Sequence, residues 1–258
     1  MPLVADRSAI RARLERDRAW SIYALGDLAP GLFEQTCWHA AEGGSALLML
    51  FGAFETPVLF AIGEPADVEP LLDEIVDQPR LYLSIRPDVL PLIRARYRVT
   101  HEMPMWRMVL DPARREFAPS RAVRLTLADY AALTRLHADG ELAGDAPDFF
   151  APYMVEQGVF YGIYEGGELV ATAGTHLVVP AEGVGAVGNV YTRRDRRGRG
   201  LAAEVTRAVV AELAQTLPPK AVIALNVKQA NASAIRIYER LGFQRYCPFF
   251  EGLAAPLV

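Results

Sequence analysis

Residues 189–202 read Asn-Val-Tyr-Thr-Arg-Arg-Asp-Arg-Arg-Gly-Arg-Gly-Leu-Ala. A strand-like run passes into a loop with two glycines, Gly198 and Gly200, and a long helical stretch follows at once. The first N–H groups of a helix have no internal partner, and the helix dipole makes that end positive. Glycines remove the Cβ that would keep a ligand away from the backbone. This strand–loop–helix corner therefore suits a phosphate or pyrophosphate. Arginines at 193, 194, 196, 197 and 199 add local positive charge; the alternative is a solvated, arginine-rich loop. Two familiar phosphate motifs are excluded. A Walker A loop needs Lys and then Ser or Thr after its last glycine, whereas Leu201 and Ala202 follow here. The dinucleotide fingerprint needs a third glycine where Ala203 stands.

Downstream by one helix and one strand lies a second pattern: Asn226-Val227, Asn231, Ala234, Tyr238 and Gly242-Phe243. Asn231 is a good helix N-cap and Gly242 a good C-cap. Tyr238, seven residues after Asn231, falls near the same helical face. On its own it reads as a half-buried packing tyrosine.

Arg197-Gly198-Arg199-Gly200-Leu201-Ala202 matches the R/Q-x-x-G-x-G/A pattern of the GNAT superfamily of N-acetyltransferases, and the second pattern resembles that family's later motif. The resemblance covers about residues 121–250 and departs from the family at Arg194, where proline is usual. It implies that backbone amides of residues 197–202 bind the pyrophosphate of coenzyme A, with Asn231 also at the cofactor. Val190, Tyr191 and Thr192 would pair with the pantetheine arm, and a backbone N–H near Val190 would polarise the acetyl carbonyl. Tyr238 would protonate the leaving thiolate. The implied cosubstrate is acetyl-CoA, with no metal. Many members carry a glutamate on the strand before the glycine loop, but Val184 to Thr192 has no carboxylate. His176, on the preceding strand, is one candidate base, since an ordinary histidine titrates near neutrality; the alternative is a structural histidine. Glu182 is a second candidate, or an exposed turn residue. A water chain is a third route. Asn189 either orients the acceptor or satisfies the strand. Asp145, Asp148 and Phe149 mix carboxylate with aromatic character, which suits a cationic amine; the alternative is an ordinary helix start.

Around this segment the second half reads as a strand at Val123–Leu127, helices near 128–138 and 147–157, and strands at 159–165, 168–179 and 184–192. A helix at 200–216, a strand at Ala221–Val227, a short helix and a strand from Phe243 to Phe250 complete it. The first half repeats the order: helices near 7–16 and 18–28, strands at 32–40, 45–53 and 57–62, a helix near 66–76, a strand at Leu81–Ile85, a helix at 88–97 and a strand at 102–110. The expected fold is α/β (α+β), two tandem GNAT-like domains, each a mixed, mostly antiparallel sheet flanked by helices. A linker-like stretch at 111–121 divides them, giving domains at 1–115 and 121–258. Where the glycine loop should be, the first half has Gly63-Glu64-Pro65-Ala66-Asp67. Two carboxylates repel a pyrophosphate and Pro65 removes an N–H, so that domain is expected to be degenerate and without CoA.

The chain has 258 residues, 52% hydrophobic, and a net charge of 27 − 31 = −4. Such a chain buries a substantial core, and its charge does not point to nucleic acid or an anionic membrane. No apolar run approaches the roughly 20 residues of a membrane span, and the N-terminus has no apolar block of a secretory signal. Cys37 and Cys247 are too few for a disulfide framework. The expectation is a cytoplasmic N-acetyltransferase acting on a small-molecule or peptide amine, with a homodimer left open. The competing readings are a non-catalytic acyl-CoA-binding or sensing module and a transferase for longer acyl chains.

Overall fold

The computed structural model describes residues 4–40, 44–114, 116–141, 144, 146–147 and 150–257. The chain divides into two compact units. The first holds Met1–Arg107, Val227–Ala230 and Arg245–Val258; the second holds Met108–Asn226 and Asn231–Gln244.

In the first unit, Asp6 caps α1 (Arg7–Leu14) by accepting from Ser8 N at 2.8 Å. α2 (Ile22–Gly26) is shorter than the expected 18–28 helix. β1 (Thr36–Ala40), β2 (Leu47–Phe51) and β3 (Val58–Ile62) form an antiparallel meander, with Cys37 opposite Leu50 and Leu48 opposite Ala61. α3 (Pro65–Val68) then gives way to a 3-10 stretch, Glu69–Ile75. One continuous helix over 66–76 was expected; Pro70 has no N–H for an α-helical bond and tightens the turn instead. Leu71, Leu72 and Ile75 still reach the core, but Val76 is 50% exposed. β4 (Leu81–Ile85) runs parallel to β3, with Leu59 opposite Leu83. α4 (Leu90–Arg94) and β5 (Tyr97–Leu110) follow.

In the second unit, β6 (Val123–Arg124) is only the start of the expected strand, because Thr126 and Asp129 form a capping box that turns the chain into a 3-10 turn and α5 (Tyr130–Glu141). α6 (Pro152–Gln157), β7 (Tyr161–Glu165), β8 (Glu168–Val179) and β9 (Val184–Thr192) come next. The β7–β8 turn has Gly166 at φ 59° and Gly167 at φ 81°, as a tight hairpin requires. α7 (Leu201–Thr216) buries Leu201, Val205, Val209 and Leu213. It is the crossover to β10 (Val222–Lys228), which lies parallel to β9. α8 (Ala232–Leu241) leads to β11 (Phe243–Pro256). From Arg245 onward β11 belongs to the first unit, where Phe250 faces Ile85 and Ala254 faces Leu81. The expected second domain, 121–258, thus lends its last strand to the first.

The strand order is β1-β2-β3-β4-β11-β5 in the first unit and β10-β9-β8-β7-β6 in the second. Each unit is a mixed, mostly antiparallel sheet with helices. Each also repeats one scheme: two antiparallel pairings, then a parallel one across a helical crossover.

Candidate active site

The site follows from where β9 leaves its parallel neighbour. Pairing runs from Val184↔Val222 to Val187↔Leu225, although β9 continues to Thr192. On its other side β9 stays paired with β8 as far as Ala171↔Thr192. Between Thr172↔Tyr191 and Gly174↔Gly188, β8 uses one residue where β9 uses two, Asn189 and Val190. Asn189 carries the bulge at φ 51°, rare for a non-glycine residue. A bulge increases local twist and bends its strand, so β9 parts from β10 where the extra residue sits. The expected pantetheine segment, Val190 to Thr192, is therefore a strand edge without a β10 partner.

Beyond Thr192 the chain enters the glycine loop. Gly198 and Gly200 have φ of 77° and 78°, and a Cβ on either would meet nothing within 4 Å. Glycine is required there by backbone conformation, and the space beside it is open. The first backbone bond of α7 is Glu204 N to Gly200 O at 3.1 Å, so the N–H groups of Leu201, Ala202 and Ala203 precede the helical ladder.

The arginines behave differently from the sequence expectation. Arg193 pairs with Glu168 at 2.6 Å and Asp195 at 2.7 Å; Arg196 pairs with Asp195 at 2.7 Å and Glu165 at 3.1 Å. Arg199 lies 3.8 Å from Glu165. Arg197 donates to Thr192 O at 3.1 Å and covers the Tyr191 ring at 5.4 Å. Much of the positive charge is balanced by neighbouring carboxylates. Anion binding then falls mainly to the backbone amides, with the arginines shaping the loop.

Two tethers fix the loop to α5. Asp139 accepts from Tyr191 Oη at 2.9 Å and from Arg194 N at 3.0 Å. The Arg194 amide, followed by Tyr191, holds the Asp139 carboxyl below its ordinary range. Nothing in the sequence singled out Asp139, because its partners are more than fifty positions away.

α8 starts at the carboxyl end of β10, as the glycine loop starts at the carboxyl end of β9. Asn231 caps it as expected, its Oδ1 accepting from Ala234 N at 3.1 Å and Ser233 Oγ at 2.9 Å. Gly242 ends the helix at φ 99°. Tyr238 is 7% exposed and packs edge-on to Phe243 with centroids 6.1 Å apart. Burial pushes its hydroxyl up to about 12, so it is protonated at neutral pH.

His176 is the extra residue of a second bulge, on β8 between Thr175↔Val187 and Leu177↔Ala186. Its ring lies against Gly188, where an added Cβ would overlap the imidazole. It thus sits beside the first β9 residue past the β10 pairing. Burial pushes it down to about 4, so the ring is neutral at pH 7. Glu182 is placed apart from this group, in the 3-10 turn Pro180–Glu182 before the amino end of β9. β9 rises about 3.3 Å per residue, so its eight steps put roughly 26 Å between that end and the glycine loop. Asp145, Asp148 and Phe149 lie outside the described residues.

Two polar groups complete the picture. Asn189 is 4% exposed; its Nδ2 faces Met154 Sδ at 3.8 Å and its Oδ1 is buried without a partner. His137 on α5 is 6% exposed, with neither ring nitrogen hydrogen-bonded, and meets Phe150 and Tyr191 edge-on at 4.6 and 6.2 Å. No pattern in the sequence marks His137, which looks like any polar residue on an amphipathic helix. Among the described residues no group of three or more His, Cys, Asp or Glu could hold a metal ion, and no helix is long and apolar enough to cross a membrane.

Comparison with known proteins bears on this arrangement. Residues 127–243 match the sequence model of the Acetyltransferase (GNAT) family. A solved protein from the GNAT family of Novosphingobium aromaticivorans is 28% identical over 82% of this chain and 89% of its own, with a TM-score of 0.60. A Drosophila protein (14% identity, 98% and 97% coverage, TM-score 0.70) and a GCN5-related N-acetyltransferase from Kribbella flavida (19%, 99% and 98%, 0.64) share the fold over nearly the full length. No curated protein sequence matches the chain. Family match, solved relatives and the strand–loop–helix geometry agree: residues 127–243 are similar to the acetyltransferase (GNAT) family and share its fold.

Proposed function

We propose that this domain is an N-acetyltransferase that moves an acetyl group from acetyl-CoA to a primary amine by direct attack. The observation that carries the reading is the parting of β9 from β10 after Val187↔Leu225, leading into a helix N-terminus opened by two glycines in left-handed backbone. These features fit the cosubstrate: an open strand edge for the amides of its pantetheine arm, and unpaired N–H groups with no Cβ in the way for its pyrophosphate. Bound acetyl-CoA would supply the activated acetyl thioester.

The chain's own residues then have four tasks. The amides of residues 197–202 hold the pyrophosphate, and Val190 to Thr192 align the arm, which fixes the reacting carbonyl. A backbone N–H at the Asn189–Val190 bulge polarises that carbonyl. Tyr238, protonated at neutral pH, donates to the departing thiolate. His176, neutral at the same pH, accepts the proton of the attacking amine, directly or through water. Asn189 Oδ1, lacking a partner, can accept from that amine and orient it. Glu182 has no task in this scheme. The domain bounds of 1–115 and 121–258 remain part of the proposal, with β11 exchanged as described. In the first, Trp20 Nε1 donates to Ala61 O at 2.9 Å, and α3 is only four residues long and opens with Pro65. Both features support a GNAT-like domain without CoA.

The test is thermal unfolding with and without acetyl-CoA, with NADH and ATP as controls. At about 100 times the dissociation constant, stabilisation should reach roughly 2.7 kcal/mol, or several degrees. A shift with acetyl-CoA alone supports the reading and justifies an amine screen by free-thiol release. A shift without turnover across that screen favours the acyl-CoA-binding module. No shift refutes the cofactor assignment.

A further inference from the structure

Asp139 places a carboxylate at the entry to a loop suited to an anion. By charge alone it opposes anion binding there, so its value to the loop must be geometric. One oxygen, Oδ2, accepts both from Tyr191 Oη at 2.9 Å and from Arg194 N at 3.0 Å. Tyr191 lies near the end of β9, and Arg194 opens the 3-10 turn Arg194–Arg196 that leads to Gly198. α5 approaches this closely because residue 140 is glycine: a Cβ there would lie 2.8 Å from Tyr191 Cε2 and from Ala146 N. The neighbouring amide is fastened on the other side, where Arg193 N donates to Val170 O of β8 at 2.9 Å. Consecutive amides thus pin the turn, that of Arg193 to β8 and that of Arg194 to α5. Arg193 has φ −49° and ψ 135°, and a 3-10 turn starts after it, a backbone that would accept proline at 194. A proline ring would stiffen the turn by itself. Here the position keeps an N–H, and Asp139 holds it.

We propose that Asp139 is a positioning residue of the coenzyme A site: from α5 it holds the turn Arg194–Arg196 so that the amides of residues 197–202 converge on the pyrophosphate. The inference rests on the acetyl-CoA reading above. In this role Asp139 touches neither cofactor nor acceptor and acts through Arg194 and Tyr191. Both bonds need an acceptor oxygen rather than a charge, so an amide oxygen in the same place serves equally well. That requirement separates positioning from electrostatics, because asparagine keeps the oxygen and removes the charge.

The test is calorimetric titration of the full chain with CoA, on variants shown to be folded by their thermal transitions. Asp139→Ala should weaken CoA about 10-fold, as when the receptive loop falls to roughly a tenth of the population. Asp139→Asn should bind within about twofold of the wild type, since its amide oxygen still accepts both bonds. Arg194→Pro removes the N–H and supplies the ring's constraint instead, so Asp139→Ala should cost less affinity in that background than in the wild type. Without ligand, trypsin should cut the arginine-rich stretch 193–199 faster in Asp139→Ala than in the wild type or Asp139→Asn. A side chain that only supported α5 would lower the melting temperature without singling out that stretch. If the wild type does not bind CoA, the cofactor reading falls and the inference with it. If the wild type binds and Asp139→Ala binds as tightly, or if Asp139→Asn loses as much as Asp139→Ala, the inference alone is overturned.

Discussion

Gly200 separates backbone strain from electrostatics at the proposed pyrophosphate site. Its φ is 78° and an added Cβ meets nothing within 4 Å. Gly200→Ala therefore incurs only the left-handed backbone cost, about 1–2 kcal/mol of stability, and should leave CoA affinity within a few-fold. Gly200→Glu carries the same backbone cost and adds a carboxylate beside the helix N-terminus. The nearby arginines cannot cancel it cheaply, because Arg196 and Arg199 already face Glu165. At ~6 Å and an effective dielectric of about 30, each phosphate charge is opposed by roughly 2 kcal/mol. CoA affinity should then fall on the order of 10²-fold, with part of the loss recovered at high salt. Urea unfolding measures the first quantity and calorimetric titration with CoA the second. If Gly200→Glu binds CoA as tightly as Gly200→Ala, the pyrophosphate does not sit at this helix end.

Tyr238→Phe should slow turnover on the order of 10²-fold with little change in CoA affinity. Because the hydroxyl is pushed up to about 12, the wild-type rate should show no basic limb from this group below about pH 10; wild-type rates in the variant would return Tyr238 to a packing role. His137 gives an acid-stability test. Burial pushes it down to about 4, against about 6.5 in an unfolded chain, so below pH 6.5 the unfolded state binds more protons. Its contribution is complete above pH 6.5 and falls by roughly 3 kcal/mol as pH drops to about 4. His176 titrates in the same window, so His137→Phe should flatten part of the acid loss seen by urea unfolding between pH 7 and 5. An unchanged slope would mean that His137 is not held neutral.

How far the sequence could be read depended on the range of the interaction. The glycine loop was legible because a left-handed φ selects glycine by type, and Asn231 and Gly242 because caps are local. The order of elements in both halves was legible from periodicity and turn residues. The transfer of Arg245–Val258 to the first unit was not, since an apolar strand does not name its partner. The bulges at Asn189 and His176 depend on register with a neighbouring strand, which one strand's residues do not encode. The arginines misled for a similar reason: Glu165 and Glu168 lie in a distant hairpin, so the loop's own composition overstated its charge.

Comparison of the two parallel strand pairs shows why shared topology does not mean shared chemistry. After β3, Gly63 also has a positive φ, 126°, but a Cβ there would meet Ala46 Cβ at 2.6 Å. Glycine at that point lets β3 pack closely on β2. At Gly198 and Gly200 the same freedom opens onto empty space. The strand carbonyls differ in the same way. Ala61 O is taken by the Trp20 indole, whose ring stacks on Phe60 at 5.4 Å, whereas β9 keeps an edge without a β10 partner from Gly188 onward. A ligand needs both free backbone groups and room to reach them. The first unit closes both with its own side chains. Replacing Trp20 would therefore leave an apolar cavity rather than restore a cofactor site, because Pro65 and the four-residue α3 still supply no row of helix N–H groups.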